Sequence, residues 1–251
     1  MQTHYEALLK RRLKQEIAHR PPLFPWEKGV QHYPDVLNIG SSQPSIWLDH
    51  LKNLEIPANL SEELLGDLFN QCQQIAQQSL QVGRRLVSAV EHLFPSQPQH
   101  LDYIAGLVAS PAYRSPQALA LEKVDYSTAT TQQQIALSML TAKSIFETLT
   151  LELSTAKPMA NRIWLIDSGT LRVDATYHQA NGVSRLEVRV ALPEAGEIRL
   201  VQAGQTVKTE RSNPGELSLG LDHPQLHHPC RLEVCLSQDP ADSLQFQIVV
   251  L

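Results

Sequence analysis

The spacing of apolar residues changes between residues 155 and 162, and this change limits the possible folds more than any other feature of the sequence. Before it, apolar residues recur every three or four positions, which places them on one face of a helix. After it, they alternate with polar residues, as on a half-buried strand. The sequence therefore predicts an α+β fold, in which an N-terminal helical bundle is followed by a C-terminal antiparallel β-sandwich. We assign residues 1–158 to the helical domain and residues 159–251 to the β-sandwich domain.

Two long helices are predicted in the helical domain. One begins after Ser61, whose side chain can cap a helix, and a heptad pattern carries it to about Leu93, before Pro95. The other covers about 129–153, and a shorter helix is expected at about 98–109. Such helices bury their apolar faces best in an antiparallel bundle. The heptad positions of the first helix hold Leu65, Leu68, Cys72, Ile75, Ser79, Val82, Leu86, Ala89 and Leu93.

Short strands with one polar face each are predicted in the second domain. Turn-forming residues such as Asn181-Gly182 and Asp239-Pro240 separate them. Antiparallel strands of this kind pack as two sheets around a shared apolar core. The predicted strands centre on 171–177, 186–192, 197–202, 205–210, 216–221, 231–236 and 244–251.

The charge and the cysteine content narrow the classes of partner and the compartment. The formal net charge is −5 and the pI is about 6.0, so no basic field would attract nucleic acid, and nucleic-acid binding is not expected. No stretch approaches the roughly 20 apolar residues of a membrane-spanning helix, so no membrane span is expected. The three cysteines are an odd number without the spacing of a disulfide framework. We therefore expect a cytoplasmic protein.

The densest group of possible metal ligands lies in the loop 222–230. It contains His223, His227, His228 and Cys230, and imidazole and thiolate are ligands that zinc prefers. Two prolines stiffen the loop, however, and adjacent histidines in an extended segment point in different directions. We therefore favour a polar loop that binds no metal, and we expect no cofactor.

Motifs of catalysis are missing from the sequence. It has 11 glycines without a glycine-rich cluster, which argues against a phosphate-binding loop. It also lacks the GxSxG, HExxH and CxxC patterns. A non-catalytic protein is therefore favoured. The alternative is a metal-dependent or small-molecule-binding enzyme that uses the 222–230 loop or the groove between the two domains.

The most unusual local sequence is Pro21–Glu27, within a proline-rich segment that covers residues 21–60. Its prolines favour an extended chain, and Leu23, Phe24 and Trp26 offer a large apolar area. These three residues could dock another protein. They could instead form a strap across the helical core of the same chain. We favour the strap, because exposed aromatic residues so close together promote aggregation.

A basic segment, Lys10–Ile17, leads directly into this proline-aromatic string. The combination resembles the start of uncharacterised cyanobacterial proteins of the PatU type, which are linked to cell patterning. The resemblance covers residues 10–27 and implies no catalytic residue. It implies a cytoplasmic regulatory or scaffolding protein. The leading hypothesis is therefore a non-catalytic protein that interacts with another protein.

Overall fold

The computed structural model describes residues 46–54, 56, 59–110, 125–180, 182–236 and 243–251. Every described residue belongs to the compact unit Pro44–Leu251. The docking or strap residues Leu23, Phe24 and Trp26 lie outside the described residues, as does the basic segment before them.

The helices of the described region precede all of its strands. Ser61 accepts a hydrogen bond from the backbone N–H of Leu64, which caps the second helix as predicted. Thr130 and Gln133 exchange hydrogen bonds in a capping box at the start of the last helix. The predicted short helix is confirmed, and Pro98 lies in its first turn. The helices are α1 (Leu48–Lys52), α2 (Glu62–Ala76), α3 (Val82–Val90), α4 (Pro98–Ala109) and α5 (Thr131–Leu149), with a 3-10 turn at Glu91–Leu93.

The prediction of one continuous helix from Ser61 to Leu93 is wrong, because the chain breaks between α2 and α3. The break covers 77–81, a stretch with three glutamines and an exposed Ser79. The turn lets α3 pack beside α2, so that Leu86 and Ala89 are buried in the same core. Val82, which the heptad pattern predicted to be buried, is 54% exposed.

Two sheets follow the helices, and the predicted order of a helical region followed by a two-sheet β-region is confirmed. One sheet has the order β1-β9-β8-β5-β6 and the other has the order β2-β3-β4-β7. Within these two sheets β1 and β9 pair parallel. The other neighbouring strands pair antiparallel. The strands are β1 (Thr150–Leu153), β2 (Met159–Ile166), β3 (Gly169–Ala180), β4 (Val183–Leu192), β5 (Gly196–Gln202), β6 (Gln205–Arg211), β7 (Gly215–Asp222), β8 (Cys230–Cys235) and β9 (Ser243–Val250).

Two of these strands differ from the sequence-based prediction. Residues 150–153 were predicted as the end of the last helix, but they form β1 directly after Leu149. Leu151 and Leu153 are buried while Glu152 is exposed. In so short a run, the pattern of apolar residues is compatible with a strand as well as with a helix. Strand β2 was not among the predicted strands.

The helices and both sheets share one buried apolar cluster. Trp164 on β2 is fully buried at the point where they meet. Its ring lies 6.1 Å from that of Trp47, 6.0 Å from Phe69 on α2 and 5.9 Å from Phe246 on β9, and it stacks on His50 of α1 at 4.1 Å. One aromatic side chain thus contacts two helices and the opposite sheet. The predicted boundary between residues 158 and 159 stays a prediction.

Candidate functional site

A groove of about 430 Å³ lies where the helices meet the edges of both sheets. This volume falls within the range of small-molecule binding sites. The walls of the groove come from α3, the end of α4, α5, β1, the turn after β1 and β2. They consist of Val82, Arg85, Leu86, Ala109, Lys143, Phe146, Glu147, Thr150, Glu152, Lys157, Ala160 and Arg162.

Two cations of the groove are held by the ends of helices. The Arg162 guanidinium donates hydrogen bonds to the carbonyl oxygens of Glu147 at 2.9 Å and Thr150 at 2.7 Å, where α5 ends. The Lys143 ammonium donates to the carbonyl oxygen of Val108 at 3.0 Å, in the last turn of α4. Carbonyls at a helix C-terminus lack intrahelical donors and carry partial negative charge, so both contacts stabilise the fold.

Arg85 is different, because most of its hydrogen-bonding capacity is unused. Its Nη1 donates one long bond of 3.5 Å to Oε1 of Gln247 on β9. Its Nε is buried and has no hydrogen-bond partner. Burial lowers the pKa of Arg85, and the nearby charge of Glu152 acts in the opposite direction. A guanidinium has five N–H donors, so Arg85 retains donors for an acceptor in the groove.

The lining of the groove consists of charged and apolar side chains and one hydroxyl. Among the described residues that line it there is no histidine, cysteine or serine, and the one hydroxyl belongs to Thr150. A serine–histidine or cysteine–histidine pair is therefore not present among the described residues of these walls. The groove combines hydrogen-bonded cations with apolar side chains.

The structure does not bring the four candidate metal ligands of the 222–230 loop together. His223, His227 and His228 are exposed, whereas Cys230 is 1% exposed and shares the buried face of β8 with Leu232. Burial raises the pKa of the Cys230 thiol to about 12, so the thiolate needed for metal binding is disfavoured. Within the described ranges, no group of three histidine, cysteine or acidic side chains could hold a metal ion.

The backbone explains how this loop is held. His223 and His227 have φ angles of 53° and 61°, in the left-handed region. The N–H of His227 donates to the carbonyl oxygen of Val250, and the Gln202 side chain bonds the backbone of Gln225 and His228. These contacts fix the loop through its main chain and leave the imidazoles in solvent.

A second surface, which sequence analysis missed, lies on the outer face of β2. Met159, Ile163 and Leu165 point to the same side of this edge strand, and they are 65%, 53% and 52% exposed. Alternate residues Ala160 and Arg162 point the other way, towards the groove. We call Met159, Ile163 and Leu165 the β2 stripe.

Comparison of the chain with protein-family models, curated proteins and solved structures finds no match. In the part of the chain that the structure describes, no helix is both long and apolar enough to cross a membrane.

Proposed function

We propose that this protein is a non-catalytic, cytoplasmic recognition protein with a regulatory or scaffolding role, and that it binds another protein through the β2 stripe. The observation that carries the proposal is the exposure of three large apolar side chains on one face of an edge strand. Single exposed apolar residues are normal on protein surfaces, but three on one face of one strand, interrupted by Asn161 alone, mark a candidate site of interaction. The partner would cover the stripe with apolar or aromatic side chains.

The surroundings of the stripe favour contact through side chains rather than addition of a strand. The N–H of Leu165 donates to Nδ1 of His50 at 3.1 Å, so this edge donor of β2 is already used. On the neighbouring strand, Arg172 lies opposite Ile163 and forms an ion pair of 2.8 Å with Asp174. Apolar residues beside a charged border match the usual centre and rim of a protein interface.

Affinity capture with stripe variants tests this proposal. Ile163→Lys places a charge at the centre of the stripe, and Val183→Lys is the matched control. Val183 is 55% exposed, on the outer face of the same sheet, roughly 26 Å away along the strand direction by strand rise. We expect wild type and Val183→Lys to retain the same partner, and Ile163→Lys to lose it. Equal capture by all three proteins contradicts the proposal.

Small-molecule binding in the groove is the second candidate function. The volume of the groove and the unused donors of Arg85 favour it. This function does not require catalysis, and it uses the opposite face of β2, so both functions can exist in one protein.

A further inference from the structure

We propose that the groove binds a small amphipathic carboxylate, with its headgroup on Arg85 and its apolar body against Val82 and Phe146. This site goes beyond the proposed docking function of the β2 stripe and uses none of its residues.

Arg85 lacks a hydrogen-bond acceptor for most of its donors. Arg162, in the same groove, donates to four backbone carbonyls and is nearly satisfied. Arg85 makes one long bond through Nη1, and its Nη2 has no partner among the described residues; its Nε also lacks a partner but is buried out of reach of a ligand. A carboxylate accepts two parallel hydrogen bonds from one guanidinium, which is the strongest pairing available to this side chain.

The excess of cations over carboxylates in the groove favours an anionic ligand. The protein has a net charge of −5, yet cations outnumber carboxylates by two in the groove. Glu152 lies close enough to affect both Arg85 and Arg162, but within the described residues it forms an ion pair with neither. Glu147 and Glu152 offset half of these cations, and the cost of removing an anion from water rises with the square of its charge, so a monoanion is favoured over a dianionic phosphate. The cations are Arg85, Lys143, Lys157 and Arg162.

An apolar wall lies beside Arg85. Val82 from α3 and Phe146 from α5 line the groove, whereas Leu86, one helical turn after Val82, is fully buried. Val82 is 54% exposed although the heptad pattern predicts burial. An aliphatic ligand body would cover this side chain, which a free inorganic anion would leave in water.

Calorimetric titration with decanoate tests the site in the full-length protein. We expect saturable binding of one decanoate per chain. Decan-1-ol has the same apolar body without the charge, and its affinity should be lower than that of decanoate by about tenfold or more. Decyl phosphate separates the two anion classes and should bind more weakly than decanoate.

Three variants connect the binding to the proposed contacts. Arg85→Gln should weaken decanoate binding by about tenfold or more, whereas Arg84→Gln, at the exposed neighbouring position of the same helix, should leave it unchanged. Glu152→Gln removes the competing carboxylate and should tighten binding. A gain of affinity cannot come from damage to the fold, so this variant keeps the proposal testable if Arg85→Gln unfolds.

Several results would overturn the proposal. They are the absence of saturable decanoate binding, equal affinities for decanoate and decan-1-ol, and tighter binding of decyl phosphate. Equal affinities of the two arginine variants or weaker binding by Glu152→Gln would also overturn it. These measurements do not depend on whether Ile163→Lys loses or retains the partner, so failure of the docking proposal and failure of this one are separate results.

Discussion

Replacement of Trp164 by alanine should destabilise the protein more than a typical core substitution. Trp164 is fully buried and contacts residues from two helices and from β9. Its removal would therefore weaken the junction between the helices and the sandwich as well as the core of one sheet. We expect the free energy of unfolding to fall by about 4 kcal/mol.

This magnitude follows from three contributions. Truncation of a large buried aromatic residue to alanine usually costs about 3–5 kcal/mol. The edge-to-face contacts of Trp164 with Trp47 and Phe246 add about 0.5–1.5 kcal/mol each, which moves the cost towards the upper end. The indole Nε1 of Trp164 is buried without a partner, and its removal relieves about 1–3 kcal/mol of desolvation penalty. The first two contributions together exceed the third, which leaves a net loss near 4 kcal/mol.

Urea unfolding followed by circular dichroism measures this loss without relying on the fluorescence of the residue removed. The matched control is Ile163→Ala, since Ile163 is adjacent on β2 but 53% exposed, and it should change stability by less than about 0.5 kcal/mol. Trp164→Phe keeps most of the ring and removes the unpaired N–H, so it should cost less than about 1.5 kcal/mol. A loss below roughly 1 kcal/mol for Trp164→Ala would refute the role given to this residue.

Three further predictions concern other parts of the chain. Burial lowers the pKa of His50 below its ordinary value of 6.5, so the unfolded chain gains this proton at higher pH than the folded chain does. Stability should therefore decrease as the pH falls below 6.5, and His50→Phe should reduce this dependence in urea titrations at several pH values. If the segment around Trp26 is a strap, Trp26→Ala should lower stability by about 3–5 kcal/mol, whereas an unchanged melting temperature would favour docking. The fragment 159–251 should give a β-rich circular dichroism spectrum if the predicted domain folds alone. The fragment 150–251 should be more stable because it retains β1, the parallel partner of β9, and equal melting temperatures would contradict this role of β1.

The sequence predicts elements well where one face is apolar and the other polar. Strands β3 and β4 alternate regularly, and their register places the buried residues Val173 and Val190 opposite each other. Helix α5 combines helical spacing with a capping box, so its start was predictable to within a few residues. In these elements the local pattern and the tertiary environment agree.

Strand β2 was missed because its apolar residues occupy both faces. Ile163 and Leu165 point outwards while Trp164 and Ile166 are buried, so four consecutive apolar residues show no alternation. The feature that hides the strand from periodicity is the one that creates the β2 stripe. A continuous apolar run in an otherwise alternating domain could have indicated it.

The groove could not be predicted in detail because its residues are distant in sequence. Arg85 reaches Gln247 on β9 and is influenced by Glu152 on β1, and no local pattern connects these positions. The groove also depends on the break at 77–81 and on the change from helix to strand after Leu149, both of which the heptad pattern obscured. At both places tertiary packing, rather than local helix propensity, determines the structure.

Photo-cross-linking at the β2 stripe tests the central claim of protein recognition most directly. p-Benzoylphenylalanine at Ile163 should give one discrete adduct with another protein in cells, because the side chain at this position would lie in the interface. The same group at Val183, an equally exposed position on the outer face of the same sheet, should not give that adduct. Absence of a discrete adduct at Ile163, or the same adduct from both positions, would contradict the assignment of the β2 stripe as the docking surface.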